Sequence, residues 1–387
     1  MAATIVLSLN SGSSSLKFGW FEAADSEVRA IFSGAVEGIG GPNGHFWVRR
    51  ADGSLFHEDR SPVPQQEDAL RIVARLVSDG RLPQPSAIGH RVVHGGPQLR
   101  EHQRVTPYVI GELEKAAVFA PLHVPVELRL IRLTETHFPS VPQFACFDTA
   151  FHRTIGEAAA RFALPEDFWE EGVRRYGFHG LSCESILHTL GKEAPAKIII
   201  AHLGNGASVT AIENGASVDT TMGLTPTGGI VMGTRPGDLD PGIFLYIMRN
   251  ARVGVDELES LLNRKSGLLG ISGISSDMRQ LHGATNDPRA KMAVEIFCRA
   301  VKKVIGSYFA ILGGLNLLVF SGGIGENDPI VRSAICGGLE AFGIEIDEES
   351  NQKNQPSIGT RRAQVGVRVV HSDEEIQIAR QTAKLLA

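Results

Sequence analysis

The chain opens on a mostly apolar run at residues 4–9 (TIVLSL), then a serine- and glycine-rich stretch, then a second such run at 16–21. Short continuous apolar runs bounded by turn residues predict buried strands. Residues 29–36 and 45–49 add two candidate strands. Over 65–78 the period changes: Ala69, Ile72, Val73, Leu76 and Val77 share one face of a helix. Residues 87–93 predict a strand. Thr106-Pro107 pairs an N-cap with a proline at the first helical position and opens a helix toward Phe119. Helical spacing continues over 126–137, and Gln143–Phe147 predicts a strand that ends at Asp148.

The pattern then restarts. Lys197–Leu203 (KIIIAHL) predicts a buried strand, and 209–213 and 216–219, joined by Asn214-Gly215, predict a hairpin. Helices are predicted at 242–252, 255–263 and 289–312. A strand at 315–320 runs into Gly322-Gly323, followed by a helix at 328–342, a strand at 365–370 and a last helix at 373–386. The segments IVLSLNSGSSSLKFGW (5–20) and IIIAHLGNGASVTAIE (198–213) share a shape, strand, small-residue loop, strand. They predict two related α/β halves, and a cleft between such halves is a natural ligand site. The length of 387 residues agrees, at roughly 100–200 residues per domain.

Composition narrows the function. At 43% apolar and 21% charged the chain is too apolar for disorder. With 6% aromatics, the core must rest on Ile, Leu, Val and Ala. The net charge of −5, with no block of one sign, argues against nucleic-acid binding by bulk electrostatics. No apolar run reaches the ~18 residues of a membrane span. The start, Met1-Ala2-Ala3-Thr4, shows no basic stretch ahead of an apolar signal region. Cys146, Cys183, Cys298 and Cys336 form no CxxC pair, so a reduced, cytoplasmic setting is expected.

Three loops of small residues follow or join the predicted strands: Asn10-Ser11-Gly12-Ser13-Ser14-Ser15-Leu16-Lys17, Gly204-Asn205-Gly206, and Gly322-Gly323-Ile324-Gly325-Glu326-Asn327. Such loops let backbone N–H groups approach an anion, and Lys17 adds a phosphate-reaching cation. The third loop follows a strand and precedes a predicted helix, which can hold phosphate or ribose at a helix N-terminus. Each alone could be an ordinary polar loop; together they point to a nucleotide. No GxxxxGK[ST], post-strand GxGxxG, HRD, DFG, GxSxG or HExxH occurs, so other nucleotide and hydrolase classes lack support. His90-Arg91-Val92-Val93-His94 places Arg91 where it can clamp a carboxylate or phosphate, and His90 and His94 leave a metal reading open. Asp148, at a strand end, is either a site residue or a helix N-cap. His179 lies between glycines, and Arg235 sits in a rigid Gly/Pro loop. Phosphate loops, two positioned arginines, a histidine and an aspartate suit phosphoryl transfer, which needs positioning and charge neutralisation.

The chain resembles the acetate kinases of the acetate and sugar kinase, heat-shock chaperone and actin superfamily. The resemblance rests on SLNSGSSSLK (8–17), GHRVVHGG (89–96), APLH (120–123), FDTAFH (147–152), RYGFHG (175–180), HLGNGAS (202–208), DTTMGLTP (219–226), MGTRPGDLDP (232–241), SSDMR (275–279), SGGIGEN (321–327) and DEEIQIAR (373–380), in family order over nearly the whole chain. It implies two ribonuclease H-like, actin-like ATPase domains facing across a central cleft. The expected domains are 1–148, on the acyl and phosphate side, with the final helix 373–387 packed back on it, and 149–372, for nucleotide binding and dimerisation. By resemblance, Asn10 and Glu374 are the magnesium-site residues. The ATP contacts are Lys17, His202, Leu203, Gly204, Asn205, Gly206, Asp277, Met278, Arg279, Gly323, Ile324, Gly325, Glu326 and Asn327. Arg91 matches the acyl-substrate arginine, Asp148 a catalytic acid/base or orienting carboxylate, and His179 and Arg235 the transition-state stabilisers. His123 lies near the phosphate path, and Val93, Leu122, Phe178 and Pro226 match the methyl pocket. Departures from the usual pattern are Val124, Leu181, Cys183, Thr227-Gly228-Gly229 and Pro236, neighbours of the charged site residues.

The expected activity is magnesium-dependent phosphoryl transfer between ATP and acetate, giving acetyl phosphate and ADP, with manganese able to replace magnesium. Partners expected are these small molecules and a second copy of the chain, with no nucleic acid and no membrane. A propionate or broader short-chain acyl kinase, use of pyrophosphate, and a non-catalytic chaperone or filament protein of the same superfamily are the competing readings. Two further expectations concern placement. Val93 follows Arg91 by two on the predicted strand, which puts both on one face. Glu374, at the start of the last helix, faces solvent and the cleft.

Overall fold

The computed structural model describes residues 4–12, 14–24 and 27–387. Ser13 of the first loop and residues 1–3 of the N-terminal reading lie outside the described residues. The chain divides into two compact units. The first holds Met1–Phe151, Gly180–Ser185 and Asp373–Ala387; the second holds His152–His179 and Ile186–Ser372.

The first unit is built on eight strands: β1 (Thr4–Ser11), β2 (Ser15–Ala24), β3 (Glu27–Glu37), β4 (His45–Arg50), β5 (Leu55–Arg60), β6 (Ala87–Val92), β7 (Gln103–Arg104) and β8 (Gln143–Phe147). Their order is β5-β4-β3-β2-β1-β6-β8-β7. The second unit has β9 (Lys197–Leu203), β10 (Ala207–Glu213), β11 (Ala216–Thr220), β12 (Leu317–Ser321) and β13 (Gly366–Val369), in the order β11-β10-β9-β12-β13. In the first sheet β1 pairs antiparallel with β2 and parallel with β6, which pairs parallel with β8; in the second β9 pairs antiparallel with β10 and parallel with β12, which pairs parallel with β13. The weak repeat between 5–20 and 198–213 is therefore a repeat of topology, and each unit carries the ribonuclease H-like sheet.

β1 is apolar at consecutive positions because both its faces are covered. Leu7 and Leu9 pack with Leu70, Val73 and Val77 of the helix Gln66–Ser78 and with Leu130 of the helix Val124–His137. Val6 points the other way, onto Ala379 of the last helix, Glu374–Leu386. That helix approaches β6 so closely that a Cβ at Gly89 would lie 2.2 Å from Thr382 Oγ1 and 2.6 Å from Ile378 Cγ2. Only glycine fits there.

Several expectations change. The helix foreseen over 328–342 stops at Cys336, because Gly337 and Gly338 follow and Gly338 takes φ 84°; a 3-10 turn, Glu340–Phe342, comes after. Gly322–Asn327 precedes the helix Pro329–Cys336, as expected, but is itself a short helix with Ser321 at its N-cap position. The strand expected over 87–93 ends at Val92, where its last pairing partner is Phe147. The pattern did not announce β5, β7 or the helices Gly180–Leu190, Gly267–Ser272 and Met278–Gly283.

Candidate active site

In the first unit, four of the expected residues meet. β1 presents Asn10, β6 presents Arg91, Asp148 follows β8, and Glu374 opens the last helix. Arg91 donates from Nε to both Asp148 oxygens at 3.1 Å and from Nη2 to Oδ2 at 2.5 Å. This fork geometry is open to arginine and not to lysine. Asp148 is 1% exposed and spends its carboxylate on Arg91, so the N-cap alternative does not hold. Burial pushes its carboxyl up to about 6, against the pull of Arg91 and with a further push from Glu374. Burial also opposes the charge on Arg91, but Asp148 and Glu374 outweigh it and hold the guanidinium above its ordinary value. Asn10 bridges the group: Oδ1 accepts from Arg91 Nη1 at 3.3 Å, and Nδ2 donates to Glu374 at 3.0 Å and to Glu375 at 2.9 Å. Glu374 is not solvent-facing; its side chain is 17% exposed and lies 3.8 Å from Arg91. Lys17 is exposed on β2, directly opposite Asn10 in register. Burial raises the Glu375 carboxyl, and Lys17 pulls it back down.

The acyl-side residues follow. Val93 lies one residue past β6, so strand alternation with Arg91 does not place it. Its N–H has left the ladder and donates to both oxygens of Glu127, at 3.2 Å each. Val93 is buried, Leu122 is 38% exposed, and His123 is the N-cap residue of the helix Val124–His137. His90 and His94 do not form a metal pair. His90 is bonded to Gln143 at 2.7 Å, and burial pushes it down to about 4. His94 lies beyond the strand, accepts from Gly96 N–H at 2.8 Å and stacks on Phe119.

The second unit gathers His179, Arg235 and the loop after β9. His179 sits at φ 60°, the left-handed region, and starts the helix Gly180–Leu190. Its Nδ1 is bonded to Ser208 Oγ at 3.0 Å, and its ring stacks on His202 at 4.4 Å. Nε2 is thus turned toward Gly206. A Cβ on Gly206 would lie 2.7 Å from Arg235 Nη2 and 3.5 Å from His179 Nε2. Two nitrogen groups converge on a point where the backbone carries no side chain. Arg235 is aimed by its loop: Nη1 donates to the Pro226 carbonyl at 2.6 Å, Met232 N–H to the Arg235 carbonyl at 3.0 Å, and Thr234 Oγ1 to the Asn263 carbonyl at 2.7 Å. Of the apolar set, Phe178 and Pro226 belong to this unit, Val93 and Leu122 to the first. Phe178 is 1% exposed.

The remaining nucleotide candidates lie in two linked segments. Asp277 caps the helix Met278–Gly283 and holds Arg279 at 2.6 Å, while Met278 is buried. His282 is bonded at 2.8 Å to Asp328, the residue capping Pro329–Cys336 and following Gly322–Asn327. Within that segment Gly323 and Asn327 are exposed and Gly325 is buried. Glu326 turns inward, accepting from Gly322 N–H at 3.0 Å and pairing with His371 at 2.7 Å. Arg332, fully buried, donates to the Gly325 carbonyl at 2.9 Å. A cavity of about 570 Å³ opens beside these helices, lined by Leu281, His282, Val294, Cys298 and Ile330 among others.

Four titratable residues bonded around these positions escaped the sequence reading: Glu375, Glu127, His102 and Glu184. His102 accepts the Phe147 N–H on Nδ1 at 3.0 Å and pairs through Nε2 with Glu184 at 3.0 Å, directly before Asp148 in the chain. Burial works to raise Glu184, but bonds from His102, Gln377 and Gln381 hold it below its ordinary value. Glu375 had a signal, as the second acid of a capped acidic pair. Glu127 had one too, as a lone acid among apolar helical positions. His102 and Glu184 had none.

The acetokinase family model matches residues 5–380. An acetate kinase of Coprothermobacter proteolyticus is 42% identical, across 98% of each chain. Among solved structures, a propionate kinase from Francisella tularensis is similar with a TM-score of 0.91 at 36% identity, covering 99% of this chain and 100% of that one. An acetate kinase of Porphyromonas gingivalis gives a TM-score of 0.87 at 36% identity, with the same coverage. A match that runs unbroken from the first strand into the last helix, at this identity, means that the chain belongs to the acetokinase family.

Proposed function

We propose that the chain catalyses reversible, magnesium-dependent phosphoryl transfer between ATP and acetate, forming acetyl phosphate and ADP. The observation that carries this reading is the approach of Arg235 Nη2 and His179 Nε2 to the bare backbone at Gly206. Donors aimed at one spot suit the equatorial oxygens of a phosphoryl group in flight. Arg91 binds the acid's carboxylate; Asp148 holds its fork by Nε and Nη2, and the long 3.3 Å bond from Nη1 to Asn10 is the one most easily exchanged. A carboxylate oxygen attacks the γ-phosphorus, the bond to the β-bridging oxygen breaks, and ADP leaves with that electron pair. The acid is already ionised at neutral pH, so no base is needed, and Asp148 serves as the orienting carboxylate of Arg91. The nucleotide lies against His202–Gly206, Asp277–Arg279 and Gly323–Asn327, with Lys17 as a phosphate cation. The cavity lined by Leu281 and Ile330 has the apolar character a purine needs.

Family membership implies ATP and a divalent metal, and the first unit's oxygens fit one. Among the described residues no group of three or more His, Cys, Asp or Glu converges as a metal cage. Magnesium does not require one: it commonly takes one or two carboxylates, with water and substrate phosphates completing the shell. Glu374 would hold it with Asn10, whose Nδ2 here donates to Glu374 at 3.0 Å and whose Oδ1, now accepting from Arg91, would be the ligating atom. An ion held by these residues would neutralise charge on the nucleotide's phosphates. Glu374→Ala is expected to raise the magnesium concentration that half-protects the ATP complex against melting, by about tenfold or more. A lower melting temperature with unchanged magnesium dependence would leave Glu374 as a helix-start charge worth about 0.3–1 kcal/mol.

Propionate preference is the second reading, supported by the likeness to the propionate kinase structure. Hydroxamate detection of the acyl phosphate, with acetate, propionate and butyrate and with ATP or pyrophosphate, separates these readings. No product from any acid would end the kinase proposal. The chain is also read as a homodimer through its second unit. Ile243, Leu245, Tyr246, Met248 and Val255, on the helices Pro241–Asn250 and Val255–Arg264, are exposed by 39–73%. Light scattering should return about twice 41.6 kDa, and a monomer mass would remove this part. No helix among the described residues is long and apolar enough to cross a membrane, and all four cysteines are buried thiols, in keeping with a cytoplasmic setting.

A further inference from the structure

Glu127 is a buried carboxylate with no part in the transfer step. It is 5% exposed and lies in the first turn of the helix Val124–His137. Burying an acid is costly unless its oxygens are bonded. Here the backbone and the side chain lead in two directions. The Glu127 N–H donates to the carbonyl of His123 at 3.1 Å, which ties the residue to the turn carrying Leu122 and His123. Both carboxylate oxygens accept the Val93 N–H at 3.2 Å. That N–H lies past the end of β6, where the ladder offers no carbonyl. Its neighbours in the turn, Val124 and Leu128, are buried and apolar, so packing alone does not call for an acid. One residue therefore links two walls assigned to the acyl pocket.

We propose that Glu127 is a positioning residue that sets the width of the acyl pocket by clamping Val93 to the Leu122–His123 turn. The inference rests on the reading that Val93 and Leu122 touch the acid. With the clamp in place Val93 stands close to the carboxylate held by Arg91, and an acid with one more methylene is crowded. With the clamp gone Val93 can recede, and the longer acid gains.

The test compares E127Q, E127D, E127A and V93A, measuring kcat/KM for acetate and for propionate, and KM for ATP. E127Q keeps a carbonyl oxygen within reach of the Val93 N–H. E127D keeps the acid but withdraws it by one methylene, and E127A removes both. The propionate-to-acetate ratio should rise on the order of tenfold in E127D and E127A, the low end of what a methylene is worth, and stay within about twofold of wild type in E127Q. KM for ATP should not move. If E127A does not fold, E127D against E127Q carries the comparison. A ratio unmoved in E127D while V93A shifts it would overturn the clamp and leave the pocket assignment standing. A shift in E127Q with none in E127D would overturn it too, because the acid group rather than its reach would then be responsible. A ratio unmoved in V93A as well would remove the pocket reading itself.

Discussion

Arg235→Ala is expected to lower kcat by about 10³–10⁵-fold, or roughly 4–7 kcal/mol of barrier, with little change in ATP binding. The guanidinium is held by its own loop: Nη1 is engaged by the Pro226 carbonyl, and Nη2 points to the backbone at Gly206, beside His179 Nε2. A group held in this way needs no reorganisation when charge moves onto the phosphoryl oxygens. Alanine removes it from the transition state more than from the ground state, so the loss falls on kcat. Arg235→Lys should recover little, since an ammonium cannot both reach Pro226 and present a second donor. The competing account is that Arg235 merely braces the loop through one hydrogen bond, worth about 1 kcal/mol. That account predicts a small drop in melting temperature and near-normal turnover. Retention of more than about a tenth of wild-type kcat would remove Arg235 from the transition state.

Arg91→Ala should cost both acid binding and stability, the second in a pH-dependent way. Removing one partner of a buried ion pair leaves the other charge uncompensated, at about 3–5 kcal/mol. Asp148, 1% exposed, is the charge left behind. Its carboxyl already sits near 6, above its ordinary 3.8, because burial outweighs Arg91, and without Arg91 it rises further. A raised acid binds its proton more tightly folded than unfolded, so stability is retained below the unfolded value and lost as pH rises through the folded one. The unfolded chain is common to both, so the variant's deficit relative to wild type should be small below about pH 6, where both folded forms hold the Asp148 proton, and widen above it. Arg91→Ala with Asp148→Asn should regain stability at pH 7 without regaining activity. A deficit equal at pH 4 and pH 8 would mean that Asp148 is not the residue exposed to the loss.

The architecture was legible where local pattern and global fold agree. The two strand-loop-strand segments read as a repeat because β1 and β9 are covered on both faces, which leaves consecutive apolar residues at their centres. The charged residues read as a set because glycine-rich loops and strand ends hold them. What stayed hidden depends on pairing across the fold. Glu127 meets Val93 from 34 residues away, and His102 meets Glu184 from 82 away, with no spacing rule joining either pair. The helix Gly180–Leu190 gave no start signal, since its cap is a histidine in the left-handed region rather than a Ser, Thr or Asp. Val93 was placed on the wrong side of a boundary by one residue, which cost the alternation argument its basis.

The docking of the helix Glu374–Leu386 on β1, β2 and β6 has a consequence for how the polypeptide is made. On the ribosome the first sheet emerges early, yet Val6, Phe21 and Gly89 have nothing to cover them until residues 374–386 follow. At about 5–20 residues per second, that interval is tens of seconds. During it an apolar sheet face stands open to chaperones or to another nascent chain, and the second unit's own sheet can form first. Order of synthesis and order of completion are thus reversed in this molecule, and shortening the last helix should harm yield well before it harms the folded enzyme's affinity for nucleotide.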